Sequence, residues 1–229
     1  MLKKYWNDFI SLIYPNTCYN CDVPLVDGEE KICLRCYRDF PLTLHHLSEH
    51  NPLLLITSGI PKVSGAFCYM KFNKQGVAQK LLHELKYKGN TSIGFSLGQW
   101  FGRHIKNELY DAGIDYIIPL PLHKHKERIR GFNQSKIIAQ GMNDALGISI
   151  SEVLTRTRKA STQTKKGKVD RWQSVQSMYK LLDDNSLEGK NVFLVDDVIT
   201  TGATICAALE VLAESGVNKV YFGCIASGK

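Results

Sequence analysis

The chain has 229 residues, of which 44% are apolar, with 29 Lys and Arg against 22 Asp and Glu. This composition supports one buried core with a small additional module, and it excludes a disordered tail protein. No apolar stretch approaches the ~20 residues that a membrane span requires, so we expect no membrane-spanning segment.

The first fifteen residues have apolar side chains at helical spacing, from Leu2 to Ile13, which predicts a packing helix. Two lysines, Lys3 and Lys4, lie near its start, but Asn7 and Asp8 interrupt the apolar residues and no small-residue cleavage site follows. We therefore expect no signal peptide and a cytoplasmic location.

Four of the seven cysteines form two closely spaced pairs, Cys18-x2-Cys21 and Cys33-x2-Cys36. Two such pairs place four thiolates around one Zn²⁺, so we expect a structural zinc site. Disulfides are the alternative, but the cysteine count is odd and no export signal precedes the pairs. The other three cysteines lie in apolar contexts and are expected to be small buried side chains.

The second cysteine pair is followed by a stretch without apolar periodicity that contains Pro41, His45, His46 and Pro52. This pattern predicts a linker with exposed histidines. We therefore divide the chain into residues 1–52, with the N-terminal helix, zinc module and linker, and residues 53–229, with the main domain.

From Val63 onward the pattern alternates between strands and helices. The predicted strands are GAFCYMKF, YIIPLP at residues 116–121, VFLV at residues 192–195 and KVYFGCIA, and amphipathic helices separate them. Strands separated by helices predict an α/β fold with a mostly parallel sheet, which binds ligands at the carboxyl ends of its strands.

The positive charge is concentrated in residues 120–175, which contain 12 Lys and Arg and 4 Asp and Glu. Such a block indicates an anionic partner, either a phosphorylated small molecule or a nucleic acid. A solvated loop without a partner is the alternative.

The segment VFLVDDVITTGAT, residues 192–204, contains the most specific motif in the sequence. Its strand leads to Asp196 and Asp197, whose carboxylates can accept hydrogen bonds from vicinal sugar hydroxyls. The loop Thr200-Thr201-Gly202-Ala203-Thr204 then enters a helix, whose first N–H groups and dipole favour a phosphate. Gly202 allows close approach of the backbone. A ribose 5-phosphate fits this pattern.

This segment resembles the phosphoribosyl pyrophosphate (PRPP) motif of type I phosphoribosyltransferases. With YIIPLPLHKHKERIRGFNQSKIIAQ, TRTRKASTQTKKGKVDRW and the four cysteines, nearly the whole chain resembles the ComF family of competence-associated proteins. The resemblance implies a type I phosphoribosyltransferase fold, namely a mostly parallel sheet flanked by helices, behind a small N-terminal four-cysteine zinc module.

The resemblance also implies roles for individual residues. Asp196 and Asp197 would bind the ribose hydroxyls, and Thr200, Thr201, Gly202, Ala203 and Thr204 would bind the 5-phosphate. The turn that includes Pro121, Leu122 and His123 would face the pyrophosphate. The catalytic flexible loop would contribute Arg156, Arg158, Gln163 and Arg171.

Two functions are compatible with these residues. One is Mg²⁺-dependent transfer of the phosphoribosyl group of PRPP to an acceptor, in which the protein positions the reactants and stabilises the departing charge. The other is a non-catalytic adaptor, or a single-stranded DNA-binding protein, that works with the competence machinery in DNA uptake. Binding of PRPP or ribose 5-phosphate is expected in both.

Overall fold

A computed structural model of the chain describes residues 15–48, 50–157, 178–182 and 186–228. The helices are α1 Leu34–Arg38, α2 Pro52–Ile56, α3 Val77–Tyr87, α4 Thr91–His104, α5 Lys106–Asp111, α6 Lys124–Arg130, α7 Gln134–Leu146 and α8 Ala203–Glu214, with a 3-10 helix at His45–Leu47. The strands are β1 Val63–Lys71, β2 Tyr116–Pro119, β3 Ser149–Ile150, β4 Leu154–Arg156, β5 Tyr179–Leu181, β6 Asn191–Ile199 and β7 Lys219–Ser227. The N-terminal stretch predicted to be a helix lies outside the described residues.

Five parallel strands form the main sheet, in the order β1-β7-β6-β2-β3. Buried residues on both faces of this sheet form two apolar clusters. The predicted mostly parallel α/β architecture is therefore confirmed. Because β6 and β2 are neighbours, the segments that follow their carboxyl ends lie side by side.

Two strands differ in length from the prediction. Strand β6 continues past the apolar run to Ile199 and pairs with β7 as far as Ser227. Strand β2 ends at Pro119, and the Leu120 N–H extends its pairing with β6 by donating to the Val195 carbonyl over 2.9 Å. The next residue, Pro121, has no N–H to donate, so the strand cannot continue.

Helices α4 and α7 pack backbone to backbone on one face of the sheet. A Cβ at Gly98 would lie 2.1 Å from the Ile138 carbonyl oxygen, and one at Gly141 would lie 2.0 Å from the Phe95 carbonyl oxygen. Glycine at both positions is what allows this approach. The contact fixes α7, whose first turn reaches the end of β6.

The segment predicted to be a linker covers the outer edge of the sheet at β1. The Lys71 N–H donates to the Pro41 carbonyl over 2.8 Å, and the Thr43 N–H donates to the Tyr69 carbonyl over 3.0 Å. The expectation of an exposed histidine is wrong for His46, because its ring stacks on Phe67 and its side chain is only 4% exposed. Covering an edge strand is a common protection against pairing with other chains.

The cysteine-rich segment shares the core of the main sheet. Phe40 packs edge-on against Trp100 of α4 and Tyr69 of β1, with ring centroids 5.7 and 6.3 Å apart. The Lys80 ammonium of α3 donates to the Asn20 carbonyl over 2.7 Å. Cys68 and Cys224 are fully buried, as expected, and Cys206 is half-buried. None of the helices in the described ranges is long and apolar enough to cross a membrane.

Candidate functional site

Asp196 lies near the carboxyl end of β6, where two protein groups hold one of its oxygens. The Ser135 hydroxyl donates to Asp196 Oδ1 over 2.9 Å, and the Asp197 N–H donates to the same oxygen over 2.8 Å. Ser135 belongs to the first turn of α7, and its own N–H donates to the Asn133 side chain that caps this helix. The helix cap therefore orients the serine that fixes Asp196.

Asp197 is held by a different element. The Lys86 ammonium, near the end of α3, lies 2.9 Å from Asp197 Oδ2. The side chains are only 20% and 13% exposed, respectively. The pair is therefore partly shielded from water and from salt, unlike a surface ion pair.

The two carboxylates influence each other. Burial, and then the neighbouring negative charge of Asp197, raise the pKa of Asp196 from 3.8 to about 7. Hydrogen bonds from the Asp197 N–H and Ser135, together with the charge of Lys86, act in the opposite direction. Asp196 therefore changes its charge near neutral pH.

The loop after β6 leads directly into α8. Gly202 has a φ of +88°, and a Cβ there would lie 2.6 Å from Ile56 Cδ1 of α2. A side chain at this position would meet both an unfavourable backbone conformation and a packed neighbour. Thr200 and Thr201 are exposed, and the Thr201 hydroxyl accepts from the Ala203 N–H over 3.5 Å. A small cavity is lined by Asp196, Val198, Ile199, Thr200, Thr201, Gly202, Thr204 and Ile205.

The predicted pyrophosphate turn lies beside this loop, because β2 pairs with β6. Pro121, Leu122 and His123 are partly buried, and the His123 ring caps α6 by accepting from the His125 N–H. The Asn133 amide donates to the Leu120 carbonyl just before the turn, over 3.0 Å. Asn133 thus connects the turn to the Ser135 contact with Asp196.

Arg156, predicted in the flexible loop, lies in strand β4. Strand β4 pairs with β5 in a separate two-stranded antiparallel sheet. The Arg156 guanidinium is 5.7 Å from the centroid of the buried Tyr179 ring and donates to Met178 Sδ over 3.4 Å. The other predicted loop residues, Arg158, Gln163 and Arg171, lie outside the described residues.

The four cysteines of the two pairs converge as predicted. Their sulfur atoms all lie within 4.8 Å of one another, and Cys21 Sγ and Cys33 Sγ are 3.7 Å apart. Tetrahedral ligands at a Zn–S distance of about 2.3 Å would be about 3.8 Å apart. Burial raises the pKa of the Cys18 thiol, but N–H donors led by that of Cys33 outweigh burial and lower it to about 7. The cluster therefore has the ligands and spacing to hold a metal ion.

Sequence reasoning missed two residues that hold the carboxylates, Ser135 and Lys86. Ser135 follows Asn133 by two residues at the start of a helix, a capping pattern that places it near a helix N-terminus but says nothing about Asp196. Lys86 lies near the end of an amphipathic helix, where a lysine is ordinary. No sequence signal distinguishes it from its neighbours.

The chain is similar to several known proteins. The phosphoribosyl transferase domain family matches residues 131–229. DNA utilization protein YhgH of Escherichia coli O157:H7 is 26% identical over 93% of this chain and 98% of its own. Competence protein ComFC of Bacillus subtilis (strain 168) is 31% identical over 60% of this chain and 54% of its own. Among solved structures, adenine phosphoribosyltransferase from Saccharomyces cerevisiae is 19% identical, with a TM-score of 0.38, over 62% of this chain and 71% of that one. The predicted resemblance is therefore confirmed at this level: residues 131–229 match the phosphoribosyl transferase domain, the chain is similar to competence and DNA utilization proteins, and four cysteines cluster near its N-terminus.

Proposed function

We propose that this protein binds PRPP, or ribose 5-phosphate, at the carboxyl ends of β2 and β6. Asp196 and Asp197 accept hydrogen bonds from the ribose hydroxyls. Residues Thr200 to Thr204 hold the 5-phosphate, and the Pro121–His123 turn faces the pyrophosphate. One observation carries this proposal. Two adjacent carboxylates near the end of β6 are followed by an exposed threonine loop and then by the start of a 12-residue helix, α8.

The chemistry of these groups matches the two halves of such a ligand. Carboxylates are strong acceptors for hydroxyl groups. The first N–H groups of α8 and its dipole attract a phosphate, and Gly202 supplies the positive φ with which the loop enters this helix. Within the described residues, the two carboxylates each keep one oxygen that no protein group engages, which is one acceptor for each of two vicinal hydroxyls.

Titration calorimetry with PRPP, in the presence and absence of Mg²⁺, tests this proposal. Replacing both aspartates by Ala should weaken binding by well over tenfold, because two charge-assisted hydrogen bonds contribute about 1.5–3 kcal/mol each. The control is Asp115→Ala, which removes a carboxylate at the opposite end of β2. Equal affinity of the native protein and the double variant would exclude the assignment.

A second measurement separates the two ends of the ligand. The affinity for ribose 5-phosphate should depend on the Thr200–Thr204 loop, and the affinity for pyrophosphate should depend on the Pro121–His123 turn. We expect Thr201→Val to weaken the binding of ribose 5-phosphate more than the binding of pyrophosphate. An equal loss for both ligands would mean that the two ends are not bound separately.

Phosphoribosyl transfer to an acceptor is the enzymatic form of this function. Mg²⁺, when bound with PRPP, supplies positive charge at the diphosphate that leaves. The protein contributes the orientation of the ribose and the N–H groups at the leaving end. In the predicted role, Arg158, Gln163 and Arg171 supply the loop next to the diphosphate, and Arg156 lies in strand β4, which precedes that loop in the chain. Release of pyrophosphate in the presence of candidate acceptors would establish turnover, and its absence with all of them would favour the adaptor role.

We also propose that the four-cysteine cluster holds one structural Zn²⁺. Cys18, Cys21, Cys33 and Cys36 would be its ligands, with thiolate sulfurs at the tetrahedral spacing that zinc prefers. A closed set of four protein ligands leaves no position for a substrate, so the metal would stabilise the fold. Elemental analysis should find about one zinc per chain. Full zinc content in a variant without the four cysteines would contradict the proposal.

Binding of single-stranded DNA is a second candidate function, in line with the names of the relatives. Helix α6 exposes Lys124, Lys126 and Arg128 beside the predicted pyrophosphate turn. The Arg130 guanidinium lies 5.7 Å from the ring of Tyr87, which is 69% exposed. Cations that follow a phosphate backbone, together with an aromatic ring that stacks on bases, are typical of single-strand binding.

Fluorescence anisotropy with a labelled oligonucleotide distinguishes the two functions. If α6 binds the strand, replacing Lys124 and Lys126 by Gln should lower the affinity and flatten its salt dependence, by about 0.7 in slope for each lost phosphate contact. If both ligands share one surface, PRPP should compete with the oligonucleotide. Unchanged affinity and slope in the variant would leave PRPP binding as the single function.

We propose a cytoplasmic location, where seven reduced cysteines are stable and a competence protein can meet imported DNA. We propose that residues 1–52 and 53–229 are two segments that pack against each other, with their boundary at the start of α2, where Asn51 caps that helix. Microscopy of a fluorescent fusion tests the first proposal, and limited proteolysis tests the second.

A further inference from the structure

Lys86 is an inward-facing lysine at the end of a helix whose other lysines are exposed. Its Nζ lies 2.9 Å from Asp197 Oδ2, and its side chain is 20% exposed. Lys88, two residues later, is 62% exposed and pairs with Glu84 on the surface. Partial burial of a lysine is unfavourable unless a specific partner compensates for the loss of water. Asp197 is that partner.

The contacts of the carboxylate pair divide its oxygens into two sets. Ser135 and the Asp197 N–H engage Asp196 Oδ1, and Lys86 engages Asp197 Oδ2. In the described ranges of the chain, the remaining oxygen of each carboxylate has no hydrogen-bond donor. Lys86 is also the one Lys or Arg, within the same ranges, that forms an ion pair with either aspartate. It therefore fixes which oxygen of Asp197 stays available.

We propose that Lys86 is a positioning residue of the ribose-phosphate site, which holds the Asp197 carboxylate through one oxygen and leaves the other directed to the ligand. This inference rests on the proposed function, because it takes the carboxylate pair as the ribose-binding group. It adds a cation from α3, outside the strand-loop-helix motif, as a determinant of affinity. Lys86 acts through Asp197 and needs no direct contact with the ligand.

The charges around the pair give the proposal a pH signature. The pKa of Asp196 is raised to about 7 by burial and by the charge of Asp197, and the positive charge of Lys86 opposes this rise. The other titratable groups that face Asp196 are Tyr179 of β5 and Cys224 of β7, which is its register partner. Both are neutral at pH 7, because burial raises the pKa of Tyr179 to about 12 and the pKa of Cys224 well above its usual value.

Removal of the Lys86 charge should therefore let Asp196 keep its proton to higher pH. A protonated carboxyl loses acceptor capacity, so ligand affinity falls as pH decreases through this titration. In the native protein the fall should occur near pH 7. In Lys86→Met, which keeps an unbranched apolar stem as far as Cε but lacks the ammonium group, the fall in affinity should occur at higher pH.

Calorimetry with PRPP and Mg²⁺ across the neutral range tests this. At pH 7, Lys86→Met should bind PRPP about tenfold more weakly than the native protein, Lys86→Arg should recover most of the affinity, and Lys88→Met should match the native protein. A purely structural role would weaken binding by the same factor at every pH, so an unshifted pH profile would overturn the proposal. Native affinity in Lys86→Met would also overturn it.

A second readout does not depend on the ligand. Carboxyl ¹³C NMR follows the titration of Asp196 directly, and its midpoint should move to higher pH in Lys86→Met but not in Lys88→Met. If the native protein fails to bind PRPP while this midpoint moves, the proposed function is wrong and the charge-setting role of Lys86 stands. If PRPP binds the native protein and neither midpoint nor affinity changes in Lys86→Met, the inference about Lys86 is wrong and the proposed function stands. Thermal unfolding checks that all variants are folded.

Discussion

Replacing Asp196 by Asn should stabilise the fold at alkaline pH while weakening the binding of PRPP. The unfolded chain ionises this carboxyl near pH 3.8 and the folded protein near pH 7, so stability decreases as pH rises through that window and stays low above it. Each unit of difference between the folded and unfolded pKa corresponds to about 1.4 kcal/mol, so ionisation of Asp196 lowers the free energy of unfolding by at most about 4 kcal/mol. Asn keeps an acceptor for Ser135 and the Asp197 N–H but carries no charge.

The expected shift follows from this free energy. In a chain of this length, 1 kcal/mol corresponds to about 2–4 °C in Tm, so Asp196→Asn should raise Tm by up to about 8–16 °C at pH 8.5. At pH 5.5, which lies between the unfolded and folded pKa values of Asp196, the increase in Tm should be about half of the increase at pH 8.5. Thermal unfolding followed by circular dichroism, without chelators, measures both values.

Asp115 provides a control of opposite sign. The Asn191 N–H, and then Lys190, lower the pKa of the Asp115 carboxyl, so its ionised form stabilises the fold. Asp115→Asn should therefore lower Tm above the pKa range of an ordinary Asp and have less effect as pH falls. A gain for Asp196→Asn that does not change between pH 5.5 and 8.5 would refute the linkage argument, and a loss at pH 8.5 would show that Asp196 stabilises the fold.

Three further predictions follow from other parts of the structure. Cys36→Ser should reduce the zinc content by elemental analysis and lower Tm, because metal binding supplies folding free energy to the cysteine-rich segment. Gly141→Ala should destabilise the fold by about 1–3 kcal/mol in chemical denaturation, since the new methyl group would meet the Phe95 carbonyl oxygen. A stability equal to the native value would mean that α4 and α7 can move apart without loss of free energy. Gly202→Ala should weaken ribose 5-phosphate binding in calorimetry because of the positive φ and the contact with Ile56, and native affinity would show that the loop tolerates another conformation.

The elements with strong hydrophobic periodicity could be predicted from the sequence. Strands β6 and β7 and helices α3, α4, α7 and α8 bury continuous apolar faces, which a period of two or 3.6 residues reveals. The cover on β1 could not be predicted, because it is built from backbone hydrogen bonds and the stacked ring of His46. Hydropathy does not record that a histidine can pack its face against an aromatic residue.

In the candidate site, too, some residues could be predicted from a local sequence pattern and others could not. Asp196, Asp197 and the threonine loop are contiguous, so their chemistry can be read from one segment. Ser135 is 61 residues from Asp196, and Lys86 belongs to yet another helix; they meet the carboxylates only because α7 and α3 pack near the end of β6. Contacts of this kind depend on the packing of separate elements, which no local pattern specifies.

The cover on β1 also determines how the protein can be divided for experiments. A fragment that begins at residue 53 would lose the hydrogen bonds that Pro41 and Thr43 make to β1 and would leave the rings of Tyr69 and Trp100 without Phe40. It would present an unpaired strand edge beside an apolar patch, a combination that promotes self-association. A fragment made to study the phosphoribosyl transferase domain should therefore begin before the cysteine pairs, so that the domain keeps the segment that covers β1.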